Sequence, residues 1–270
     1  MKKAALITGA TGGIGLELAK LFAKREVPLI LVARNADRLH RIARYFQDEF
    51  HVSVLTVAQD LSVGGAAETV YEAVHSAGWD VEYLVNNAGF GDWSRFVESD
   101  WKKQSDMIGL NILALTGLCR FFGQDMRARK SGKILNVASV AAFLPGPYMS
   151  VYYASKAYVR SFSIALAEEL KHDGVTVTVL CPGPTSTGFE KASNLDHGSP
   201  MFKSMKSASP RNCAIYAYHA MMCGQTVACH TLPSNLIRIG VHFATAKFAA
   251  KQSAKVNGIP KEPKRRVRRR

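Results

Sequence analysis

The chain has 270 residues, 47% of them hydrophobic and 21% charged, which excludes wholesale disorder and suits one large α/β domain with a full core. The net charge of +14 is uneven: residues 261–270, KEPKRRVRRR, carry +6 and the preceding 260 residues carry +8. The five cysteines (Cys119, Cys181, Cys213, Cys223 and Cys229) are odd in number and form no CxxC pair, which argues against a disulfide framework or thiolate zinc site and suits a reducing cytoplasm.

Lys2 and Lys3 precede an apolar stretch that Thr8 and Gly9 end too soon for a signal-peptide core. No run approaches the ~20 apolar residues of a membrane span. AALIT, 4–8, predicts a first strand, and Ile14, Leu18, Leu21 and Phe22 at helical spacing predict a helix over 14–25. Strands follow at 29–33, 52–57, 83–87, 134–139 and 175–180, with a weaker seventh at 226–230. Helical patterns lie between them at 36–48, 64–77, 99–129 and 150–172. Strands apolar nearly throughout need cover on both faces, so the pattern predicts a doubly wound parallel sheet of about seven strands in a single Rossmann-type α/β domain over 1–258. Residues 184–210, rich in Ser, Pro, Gly and Lys, are a candidate substrate lid. Residues 233–256 read as one C-terminal amphipathic helix, and 259–270 as a basic disordered tail.

The first strand runs into Thr8-Gly9-Ala10-Thr11-Gly12-Gly13-Ile14-Gly15 at a strand-to-helix turn. Glycine there allows a tight turn and close approach of a pyrophosphate, and the helix N-terminus offers unpaired N–H groups. The spacing GxxxGxG, formed by Gly9, Gly13 and Gly15, resembles the opening of the short-chain dehydrogenase/reductase family. Where an acidic residue would bind the ribose 2′-OH of NAD, the second strand ends in Ala33, Arg34 and Asn35. Arg34 suits a 2′-phosphate, to which Thr11 could add a hydroxyl, so NADP(H) is favoured over NAD(H); the plain alternative is a surface cation. Asp60-Leu61 stands where family members contact adenine, and the resemblance lays Asn87, Ala88 and Gly89 of the Asn86-Asn87-Ala88-Gly89 motif along the cofactor. It likewise puts Pro182, Gly183, Thr185 and Thr187 along the nicotinamide side, with Asn86 holding sheet backbone in place.

Tyr152 and Lys156 share one face of a predicted helix, where a nearby ammonium would lower a phenol that otherwise titrates near ~10. Ser139 ends the fifth strand and can polarise a substrate oxygen; Asn111 lies in a long helix and needs a partner if buried. Each alone reads as ordinary, yet together they resemble the family's Asn-Ser-Tyr-Lys tetrad, with Tyr153 an alternative phenol one residue on. The resemblance implies an oxidoreductase interconverting carbonyl and alcohol. Tyr152 would be the acid/base, Ser139 the oxygen-holder, Lys156 the ribose and proton partner, and Asn111 the positioner of a water. It also implies a homodimer or homotetramer.

Phe90, Trp93, Phe143, Leu144, Pro145, Tyr148, Met149, Phe189, Met201 and Phe202 are candidates for a hydrophobic, lipid-like substrate pocket, or else core and subunit contacts. The basic C-terminus and neighbouring helix suggest a cytoplasmic protein that can touch an anionic membrane peripherally. No nucleic-acid-reading module is present, and the eight histidines lack HxH or HExxH spacing, so no metal is expected. The alternative function is a non-catalytic NADP(H)-binding regulatory protein.

Overall fold

The computed structural model describes residues 2–195 and 207–260. Seven strands form one sheet in the order β3-β2-β1-β4-β5-β6-β7, every neighbouring pair parallel. They are β1 (Lys2–Thr8), β2 (Leu29–Ala33), β3 (Val54–Ala58), β4 (Trp79–Asn86), β5 (Gly132–Val137), β6 (Val175–Leu180) and β7 (Val227–Ala228). The chain starts in the middle of the sheet and winds outward in both directions, so β1 and β4 flank the point where the order reverses, and a crevice opens beyond their carboxyl ends.

The helices are α1 (Gly13–Ala23), α2 (Ala36–Phe50), α3 (Ala66–Ser76), α4 (Trp101–Ile108), α5 (Leu115–Ala128), α6 (Ser150–Leu170), α7 (Phe189–Ala192), α8 (Pro210–Met222), α9 (Leu232–Gly240) and α10 (Ala246–Asn257). The two-residue alternation of β1 divides the core. Ala4 and Leu6 face a cluster with α3, α5 and α6, whereas Ala5 and Ile7 face one with α1, α2 and α8. Phe22, Phe46 and Phe122 are completely buried in these layers, each contributing roughly 1.5–3 kcal/mol relative to exposure.

The long helix predicted over 99–129 is continuous but not uniform: a π turn, Gly109–Ala114, separates α4 from α5. From Trp101 to Ala128 it is long and apolar enough to cross a membrane by length and composition, yet half of that apolar stretch is buried inside the fold. Three sequence expectations need correction. β4 starts at Trp79, earlier than expected, because Asp80 and Glu82 are paired with Arg129 and do not break the strand. The helix α8 was not anticipated, although Ser209-Pro210 opens it and Cys213, Ala217 and Met221 repeat at its buried face. The single amphipathic helix of 233–256 is two helices, α9 and α10, parted by a 3₁₀ turn at Val241–Phe243 and a fresh start at Thr245, whose hydroxyl caps Phe248 N–H. Residues 196–206 of the candidate lid, Met201 and Phe202 with them, and residues 261–270 of the tail lie outside the described residues.

Candidate active site

The ends of β1 and β4 are bolted together by side chains. Thr8 Oγ1 accepts the N–H groups of Asn87 and Ala88, both at 3.0 Å. The Asn87 amide donates to the carbonyls of Thr8 at 2.9 Å and Gly9 at 3.3 Å. That closeness explains the glycines. Gly9 takes φ +65°, and a Cβ on it would stand 3.0 Å from Ala88 Cα; one on Gly15 would stand 2.6 Å from the Gly9 carbonyl oxygen. Gly12 caps α1 without any side-chain hydrogen bond, so the first N–H groups of the helix are left facing the crevice with its positive dipole end. Arg38 Nη2 lies 3.6 Å from where a Cβ on Gly12 would be.

Two residues beyond β5, Ser139 adopts extended backbone and caps the 3₁₀ turn Val140–Phe143, its Oγ accepting Ala141 N–H at 3.1 Å. The same hydroxyl neighbours the Tyr152 phenol closely enough to act on its titration. Tyr152 and Lys156 both lie on the buried face of α6. Burial pushes the Tyr152 hydroxyl well above its ordinary range, and the neighbouring Ser139 hydroxyl only partly offsets this. The expected lowering by Lys156 is not what the structure shows. The ammonium donates to the Val137 carbonyl at 2.8 Å and stands 5.9 Å from the Tyr152 ring centroid. Burial pulls Lys156 itself down to about 8, with a smaller opposing pull from Cys181. Asn111 sits on the π turn, which carries it into the interior. Its amide donates to Phe90 O and Ser155 Oγ, both at 3.0 Å, and its Oδ1 accepts Phe90 N–H at 3.2 Å. Asn111 and Lys156 meet at Gly89, where a Cβ would stand 3.0 Å from Asn111 Oδ1 and 3.2 Å from Lys156 Nζ.

A cavity of about 510 Å³ joins the glycine turn to this cluster. Its far wall is apolar where Val140, Ala141, Met149, Phe189 and Ala192 line it, and Phe189 packs on Tyr152 with ring centroids 5.2 Å apart. The segment around α7 is pinned across the cavity: Ser193 Oγ accepts Gly91 N–H at 3.0 Å, and Ser193 O accepts Trp93 N–H at 2.9 Å. Buried Asp92 gathers the same region, accepting from Gln104 at 2.8 Å and Asn194 at 2.9 Å and pairing with Lys103 at 2.7 Å.

Residues 3–198 match the short chain dehydrogenase family. The chain belongs to that family. It is 31% identical over 196 residues to a very-long-chain 3-oxoacyl-CoA reductase of Mus musculus, the match covering 69% of this chain and 61% of the mouse protein, so the chain spans less than two thirds of that relative's length. Among solved structures, a short-chain dehydrogenase from Sphingobium yanoikuyae in complex with NADPH is 27% identical with a TM-score of 0.80, covering 97% of this chain and 98% of that one. L-sorbose reductase from Gluconobacter frateurii, complexed with NADPH and L-sorbose, is 32% identical with a TM-score of 0.72, covering 84% and 94%.

Against that short chain dehydrogenase frame, the cavity brings together most of the residues singled out in the sequence. Gly9, Thr11, Gly12, Gly13 and Ile14 line one end, Asn87, Ala88 and Gly89 the middle, and Ser139, Tyr152 and Lys156 the other end. Pro182, Gly183, Thr185 and Thr187 close a side. Asn111 and Gly15 lie behind this lining, one touching Phe90 and the other packed on Gly9. Four residues are not brought in. Arg34 is exposed and interacts electrostatically with Asp60, whose carboxyl hydrogen-bonds Ser62; Leu61 is in the core; and Asn35 uses its side chain to cap α2, accepting Arg38 N–H at 2.8 Å. Arg38, one helical turn further on, is the cation at the glycine-turn end of the cavity, and sequence reading missed it. Asn35 carried part of the signal: a capping Asn starts α2 there and places Arg38 in its first turn, next to the glycine turn. Asn86 does not hold sheet backbone; its amide donates to Asn136 Oδ1 at 2.9 Å and to Cys119 Sγ. Tyr153, the alternative phenol, donates to Asn257 Oδ1 at 3.0 Å. Of the apolar pocket candidates, Met149 and Phe189 line the cavity, while Trp93, Leu144 and Tyr148 pack behind it and Phe143 lies in the main core under Arg160. Among the described residues no group of three or more His, Cys, Asp or Glu could hold a metal ion.

Proposed function

We propose that the protein is an NADP(H)-dependent oxidoreductase interconverting a carbonyl and an alcohol, with Tyr152 as its acid/base. The observation that carries this is the Tyr152–Ser139 hydroxyl pair on the wall of a cavity that runs back to an uncapped, glycine-lined helix N-terminus. That end suits a dinucleotide. The N–H groups of α1 would hold the pyrophosphate, Arg38 and Thr11 a 2′-phosphate, and Lys156 the nicotinamide ribose. Bound there, the dinucleotide supplies hydride to a carbonyl carbon or takes it from an alcohol.

In reduction Tyr152 gives its proton to the substrate oxygen while Ser139 hydrogen-bonds the same oxygen. Burial keeps the phenol protonated, which fits a proton donor. Lys156, held by Val137 O, relays the replacement proton, and Asn111 borders it at Gly89. The apolar wall around Met149 and Phe189 favours a substrate with a hydrophobic, lipid-like body. Of the relatives named above, one is named for reducing a very-long-chain 3-oxoacyl-CoA, a carbonyl compound with a long apolar chain, and another binds L-sorbose, so the likeness alone does not choose between them and the wall supports the apolar choice. Trp101, Leu113 and Tyr158 leave exposed apolar surface on α4, the π turn and α6, a face suited to a homodimer or homotetramer. The basic C-terminus fits a cytoplasmic protein with peripheral membrane contact.

The test is a panel of apolar ketones and aldehydes, read as loss of NADPH absorbance. Consumption coupled one-to-one to alcohol formation is expected. NADPH binding with no turnover on any carbonyl would instead favour a regulatory binding protein.

A further inference from the structure

The charge is distributed far more unevenly than the basic tail alone suggests. Residues 1–196 hold 21 Lys/Arg and 20 Asp/Glu, whereas residues 197–270 hold 14 Lys/Arg and one acid, Glu262. Within the described part of that region stand Arg211, Arg238, Lys247, Lys251 and Lys255 with no carboxylate among them.

The same region leaves a helix face bare. Ser234, Ile237 and Val241 turn inward, Ser234 buried and the other two packed on the main core. Leu232, Leu236, Ile239 and Phe243 repeat on the opposite side and are 74%, 61%, 53% and 88% exposed. Along α10 the exposed residues form two neighbouring stripes: Lys247, Lys251 and Lys255 at four-residue spacing, and Phe248 and Val256 beside them, with exposed Ile259 just past the helix end. Apolar side chains flanked by lysines, without a single acid, are what an interfacial helix presents to anionic headgroups: the rings and branched chains enter the acyl boundary and the ammonium groups stay at its surface. A protein partner matching only the apolar stripe would leave the basic excess unexplained.

Both helices are fastened to the cavity rim. At the start of α9, Ser234 Oγ lies 3.1 Å and Thr231 Oγ1 3.5 Å from where a Cβ on Gly183 would be, and Gly183 lines the cavity. At the end of α10, Asn257 accepts from Tyr153 at 3.0 Å and donates to Pro147 O at 2.8 Å, while Gly258 O accepts from Trp93 at 3.3 Å. We infer that α9 and α10 dock on an anionic lipid bilayer and set the rim of the active-site cavity against it. Docking needs nothing from the redox reading. Only the consequence, entry of an apolar carbonyl compound straight from the bilayer, rests on it, and the test below is read without turnover.

The full chain is sedimented with vesicles of phosphatidylcholine alone or of phosphatidylcholine and phosphatidylglycerol in equal parts. Anionic vesicles should carry down about tenfold more protein, and the preference should fade as salt is raised. Leu236→Glu with Phe243→Glu should cut binding about tenfold, with NADPH binding, read by fluorescence titration, unchanged as proof of folding. Lys247→Gln with Lys251→Gln and Lys255→Gln supplies a second variant with only exposed changes, and should lose binding to anionic vesicles alone. Equal binding to both vesicles, no binding, or parental binding by both variants would overturn the inference. So would an oligomer that the Glu pair splits in light scattering while the parent binds no vesicle, which would make the face a contact between copies.

Discussion

Replacing Arg38 by Leu should separate the two pyridine nucleotides. Arg38 is the cation beside the glycine turn, 3.6 Å from the Cβ position of Gly12, and it lines the cavity. Arg34, the sequence-based choice, is exposed and faces Asp60. A hydrogen bond to a charged group contributes about 1.5–3 kcal/mol. Arg38 is itself exposed, and solvent screening selects the low end, about 1.5 kcal/mol, which is roughly tenfold in affinity. Leucine keeps helix propensity, and the Asn35 cap bonds the backbone N–H of residue 38, so α2 should persist. Steady-state kinetics with both nucleotides should therefore show KM for NADPH rising about tenfold and KM for NADH nearly unchanged. Arg34→Leu should change either by less than about threefold. If Arg34→Leu produced the NADPH defect and Arg38→Leu did not, the assignment of the phosphate site would be wrong.

Other outcomes follow from the same geometry. Lys156 is drawn down by burial to about 8, so it loses its proton as pH rises through that value, and with it the relay to Tyr152. Reductive kcat/KM should fall above about pH 8, and a flat profile across that range would count against the relay. Asn257→Ala removes the partner of both the Tyr153 hydroxyl and the Pro147 carbonyl in the interior. Denaturant unfolding should show a loss of about 2 kcal/mol, and an unchanged midpoint would show that the C-terminal helix does not brace the cavity.

The central strands were legible because they are apolar nearly throughout, which is what a sheet covered on both faces demands; β2 falls on the predicted 29–33. The start of β4 was not, because its charged residues are satisfied by Arg129, a partner that local reading cannot see. The glycine turn was readable as spacing, since close backbone approach permits few residue types there, whereas Ser139, Tyr152 and Lys156 stood out only through their resemblance to the family's tetrad. Arg34 was chosen for its place at the end of β2, and Arg38 was not considered because its approach to the glycine turn depends on how α2 starts after the Asn35 cap. The balance at Tyr152 could not be read from spacing either. A lysine four residues on implies a lowered phenol, but the structure spends the ammonium on Val137 and lets burial dominate.

The most direct test of the account is turnover by Tyr152→Phe alongside NADPH affinity. The substitution removes one hydroxyl, the neighbour of Ser139, and leaves the ring against Phe189. The account predicts that kcat falls about 10²–10⁴-fold, the range for loss of a positioned acid, with the dissociation constant for NADPH nearly unchanged. Turnover close to that of the parent would contradict it.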